Sequence, residues 1–96
     1  MKTVVGLVTP HLLRIVDLAI EAEKGVNVGW HLRDAVAKTM RELSDQYNAP
    51  ALVAAYVEGM ETAASQAPGT RVAYVGVLQA AAAAARSLEP KGDGGS

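Results

Sequence analysis

Between residues 51 and 67 every fourth side chain is Ala or Gly: Ala51, Ala55, Gly59, Ala63 and Ala67. Residues four apart lie one above the other on a helix, so this run is one continuous ridge of very small side chains. A second ridge, Gly76, Ala80 and Ala84, follows Pro68-Gly69-Thr70. That link is too short for anything but a helical hairpin. Small ridges let two helix backbones approach closer than the usual separation of about 8–10 Å. The pattern therefore predicts an antiparallel hairpin, residues 51–67 and 71–88, closed by an Ala/Gly seam. Leu52, Val53, Tyr56, Val57 and Met60 flank the seam on one helix. Val72, Val75, Val77 and Leu78 flank it on the other. Eighteen alanines in 96 residues show a bias toward a strong helix former. The glycines do not fit that bias, because each costs roughly 1 kcal/mol against Ala in a helix interior. A close contact at Gly59 and Gly76 is the compensation expected.

Two further helices precede the hairpin. Thr9-Pro10 reads as a start, Thr capping free amides and Pro suiting the first helical position, and Gly25 reads as the stop. Across 11–24, Arg14, Asp17, Glu21 and Lys24 form a solvated stripe. Leu12, Ile15, Val16, Ala19 and Ala22 lie opposite it, and Leu13, Leu18 and Ile20 broaden the apolar side. Asn27 is placed to cap the next helix, which runs from Gly29 or Trp30 to Tyr47 and is the cleanest amphipath of the chain. Leu32, Val36, Thr39 or Met40, Leu43 and Tyr47 make its inner face. Arg33, Asp34, Lys38, Arg41, Glu42 and Asp45 make its outer face. The pairs Asp34–Lys38, Lys38–Glu42 and Arg41–Asp45 stand at i,i+4, each worth about 0.2–0.5 kcal/mol. Residues 2–8 are Val-rich and fit a short strand, an extended arm or a frayed helical turn. The reading is an all-α chain: one helical domain over 1–88, with 1–9 able to form an arm, and a disordered tail over 89–96. The architecture expected is a small three- or four-helix bundle.

Charge and composition narrow the function. Nine Lys/Arg stand against ten Asp/Glu, and Cys is absent. A disulfide scaffold, a zinc finger and a thiol enzyme are excluded by that cysteine count. Net charge −1 offers neither a polybasic arm nor an acidic mimic. No secretory signal is read at the N-terminus, where the apolar run is short and Pro10 ends it. The longest uncharged stretch, 72–85, is shorter than the roughly 20 residues a membrane span needs. A cytoplasmic protein without membrane contact is the expectation.

No constellation of catalytic groups emerges. His11 and His31 have no His or Cys at i,i+3 or i,i+4, so no metal is expected. Glu58 and Glu61 lie one turn apart with Arg71 and Arg86 as the nearby cations, and they read as an exposed face rather than as an acid–base pair. Gly25-Val26-Asn27-Val28-Gly29 lacks the spacing and the Lys-Ser/Thr of a phosphate loop. Neither a cofactor nor an enzymatic activity is expected.

The stretch from Glu42 to Pro50 resembles the turn region of helix-turn-helix repressors. Leu43, Ser44, Tyr47 and Asn48 stand where that family shows Leu, Ala, an apolar residue and Gly. The resemblance implies a DNA-binding transcriptional regulator. The helix that would read bases, 51–58, carries no Arg, Lys, Gln or Asn, and has Glu58 where a phosphate would pass. That argues against nucleic acid.

Helices 51–67 and 71–88 hold four charges between them: Glu58, Glu61, Arg71 and Arg86. An outer helix of a monomer normally carries a full polar face. The shortage predicts a homo-oligomer joined through Ala51, Ala55, Gly59, Ala63, Gly76, Ala80 and Ala84. The function expected is a small non-catalytic binding or regulatory protein of adaptor or inhibitor type, of the kind found in bacteria and phages. It would act on itself and on a further protein through Trp30, His31, Arg33, Lys38 and Arg41. Trp30 is either such an anchor or, more commonly for this residue type, a core plug like Tyr47, Tyr56 and Tyr74.

Overall fold

A computed structural model describes residues 4–88. The tail expected over 89–96 lies outside those residues. Four helices follow in order: α1 Val4–Glu23, α2 Gly29–Ser44, α3 Ala49–Gln66 and α4 Val72–Ser87. There is no strand among the described residues. The all-α reading holds.

Helix α1 begins earlier than its punctuation suggests. Val4 to Thr9 is helical, so the alternatives of a strand or an extended arm fall for these residues, and Pro10 lies inside the helix rather than at its start. Thr9 does not cap. Its hydroxyl donates to the Val5 carbonyl one turn back, at 2.7 Å. The reason lies in packing: Val8 is fully buried and Val4 leans on the same core, so burial of these valines outweighs the helix-breaking tendency of Pro10. The other end behaves as read. Gly25 adopts φ +91°, its amide bonds the Ala22 carbonyl at 3.0 Å, and the Val26 amide bonds Glu21 at 3.2 Å. Two such reversed bonds satisfy carbonyls that the helix end would leave open. The cap of α2 is Val28 rather than Asn27, and no side chain caps it; Asn27 stands one residue earlier and accepts the Gly29 amide at 3.1 Å.

Every helix touches the other three, with the broadest contacts among α1, α3 and α4 and with α2 laid against all of them. Diagonal helices of a square array would not meet in this way. The core is formed by Val8, Ile15, Leu32, Val36, Met40, Leu43, Leu52, Tyr56, Met60 and Leu78, together with Ala81, Ala82 and Ala85.

The Ala/Gly seam differs from its prediction. A Cβ at Gly59 would stand 2.7 Å from Leu12 Cδ1, so the close approach on α3 is to α1. Ala55 and Ala63, on the same ridge, pack against the core, while Ala51 is exposed. On α4 the phase is reversed. Leu78 turns inward with Ala81, Ala82 and Ala85, which leaves Gly76 and Ala80 on the outside and Ala84 at the margin. A Cβ at Gly76 would meet nothing within 4 Å. Gly59 and Gly76 are therefore not partners within one chain.

Candidate functional site

Three regions carry the chain's chemical and apolar features. The first is the outer arc of α2. Two rows run along it at the same spacing of three, four, four and three residues. One is Trp30, Arg33, Ala37, Arg41 and Ser44. The other is His31, Asp34, Lys38, Glu42 and Asp45. The residues proposed from sequence as a partner contact divide between them: Trp30, Arg33 and Arg41 fall on the first row, His31 and Lys38 on the second. Of the three i,i+4 pairs, Asp34–Lys38 closes, at 3.2 Å. Among the described residues the other two pairs stay open, and Arg33 and Arg41 reach no carboxylate. The first row is thus basic with no acid in it, and the second keeps Glu42 and Asp45 unpaired.

Trp30 is 68% exposed, which overturns the core-plug reading. Its ring meets His31 edge-on at a centroid distance of 5.3 Å. Tyr47 is 100% exposed, beyond the end of α2 in the 45–48 link, and so it too is no part of the core. The link explains this, because α2 ends at Ser44 and Tyr47 no longer shares the helical phase of Leu43.

The second region is the outer side of α4. Ala73, Gly76, Ala80, Ala83 and Ser87 are all exposed. They follow one another at intervals of three, four, three and four. Val72, at the start of the helix, is 74% exposed. The Ser87 hydroxyl donates to the Ala84 carbonyl at 2.8 Å and so adds little polarity to the face. Arg86 stands at its margin and pairs with Glu61 of α3. Shallow clefts on either side of that ion pair are lined by Ala54, Val57 and Glu58, and by Ala64, Ser65, Gln79, Ala82 and Ala83. The two glutamates are exposed, as read, and α3 offers no cation to a nucleic acid.

The third region is internal. Tyr56 is wholly buried and its hydroxyl has no hydrogen-bond partner. Burial pushes the phenol above its ordinary range, with the Arg14 charge acting weakly the other way. Thr39 is itself buried and shares a hydrogen bond with His11 Nδ1 at 3.4 Å. His11 meets the Tyr56 ring edge-on at 6.4 Å. These groups join α1, α2 and α3 inside the core. None of the clefts described above includes them. Their chemistry is packing.

Among the described residues no three His, Cys, Asp or Glu side chains gather where a metal could sit. Among the same residues no helix is long and apolar enough to cross a membrane. Comparison with protein-family models, curated proteins and solved structures yields no match. The functional reading therefore rests on the geometry of these surfaces.

Proposed function

We propose that the chain is a small non-catalytic binding protein that works through protein contacts and associates with itself through the outer face of α4. The observation that supports this is the spacing on that face. Intervals of three and four are the 3.5-residue period of a helix–helix seam, in which alternate small residues let two helices pack closely. Five residues on this period, Ala73, Gly76, Ala80, Ala83 and Ser87, face outward beside a core that is already closed without them. The interface expected from sequence is kept at Gly76 and Ala80. It shifts around the helix to Ala73 and Ala83 and no longer needs Ala55, Gly59 or Ala63, which are engaged within the chain.

Light scattering behind a sizing column, at two concentrations tenfold apart, tests the reading. A mass of two chains or more is expected for the natural sequence. Gly76→Arg places a charged side chain in open space, so it should return the chain to a monomer with unchanged helicity. A single-chain mass at both concentrations overturns the proposal.

A further inference from the structure

The basic row of α2 has a geometry that selects a partner, and this inference rests on the reading of the chain as a binding protein. We propose that Trp30, Arg33 and Arg41 form a docking strip for an acidic helix of another protein.

Charge complementarity carries the argument. Arg33 and Arg41 lie eight residues apart on one face, about 12 Å along the axis. Neither is neutralised within the described residues. Between them stands Ala37, half-buried and too short to obstruct a partner. Trp30, largely exposed, closes one end of the row and offers a large apolar surface beside the two cations. Carboxylates at i and i+7 or i+8 of a facing helix have the same spacing of about 10–12 Å.

The neighbouring row sets the width of the partner. Glu42 and Asp45 stand one residue further round the helix. A nucleic-acid duplex broad enough to cover both rows would bring phosphates against those carboxylates. A single helix, about 10 Å across, can lie on the basic row alone. A second copy is also disfavoured. Two-fold pairing of α2 with itself across the strip sets like row against like row, arginine beside arginine.

Trp30 is the only tryptophan, so its emission reads the strip directly. The probe is an Ala-based helical peptide of about 16 residues with Glu at every fourth position. The comparison probes are the same peptide with Lys for Glu and an oligothymidylate of similar length. The Glu peptide should shift and quench the emission to saturation, with a midpoint that rises with salt. Arg33→Glu and Arg41→Glu should each weaken the midpoint about tenfold or more. Lys38→Gln, on the other row and paired with Asp34, should weaken it far less than either arginine variant. Absence of any response to the Glu peptide up to about 1 mM overturns the proposal. An equal response to the Lys peptide, or a stronger one to oligothymidylate, overturns it too. The wild-type arms decide the matter even where a variant fails to fold. The light-scattering test on α4 is independent, because it reads mass rather than Trp30.

Discussion

The two interior glycines of the hairpin look alike in the sequence and differ in the fold. At Gly59 a Cβ would press on the methyl groups of Leu12, whereas at Gly76 it would enter open space. Replacing Gly by Ala in a helix restricts the unfolded chain and favours helix, worth about 0.5–1 kcal/mol where the site is free. Gly76→Ala should therefore raise the free energy of unfolding by that amount. Gly59→Ala receives the same gain but must displace Leu12, so it should stabilise less or not at all. Gly59→Leu should cost about 1–3 kcal/mol from overpacking. Urea titrations of the three variants check this. Equal gains from the two Ala variants would mean that the contact with Leu12 is loose.

Among the elements, α1 and α4 are joined at one end by Arg71, which lies just before α4. Its Nε donates to Glu23 Oε2 at 2.9 Å and its Nη2 to Glu23 Oε1 at 2.5 Å. The same guanidinium lies over the Tyr74 ring at 3.9 Å. The hydrogen bonds from Arg71 hold the Glu23 carboxyl below its ordinary value of 4.5. A carboxylate whose pKa is depressed by folding stabilises the fold above its unfolded value, and that contribution is lost as the pH falls through the folded one. Part of the acid loss of stability below about pH 4.5 should therefore disappear in Glu23→Gln. Urea midpoints taken stepwise into acid, for wild type and variant, check the slope. Identical slopes would show that the clamp does not contribute. This long-range pair was not legible in the sequence, where Arg71 and Glu23 are 48 residues apart. The stop of α1 at Gly25 and the link at Pro68-Gly69-Thr70 were legible, because these residues act locally on the backbone. The start of α1 was not, since burial of Val8 is a tertiary effect. The phase of α4 was hidden for another reason. Residues 80–85 are all Ala, so no contrast marks an inner face there, and the phase is set upstream by Leu78 with the half-buried Tyr74, Val75 and Val77. The split of α2 into two rows could have been found by counting threes and fours from Trp30.

For the whole molecule, the question is where the uncharged face of α4 goes. The core closes within one chain, so a monomer is a complete fold and association adds to it rather than creating it. Anything that binds the native state but not the unfolded one raises apparent stability by mass action. If copies join through α4, the melting temperature must then rise with protein concentration. For a chain of this size a tenfold increase should raise it by about 3–5 °C, since about 1 kcal/mol corresponds to roughly 4–8 °C. Gly76→Arg should abolish that dependence and melt at one temperature throughout. Gly76→Ala should keep it, because a methyl group still fits a small-residue seam. Calorimetry at two concentrations distinguishes these outcomes. A melting temperature independent of concentration in the natural sequence would assign the small residues of α4 to helix propensity alone, leaving the Trp30 strip of α2 as the contact surface of a monomeric binding protein.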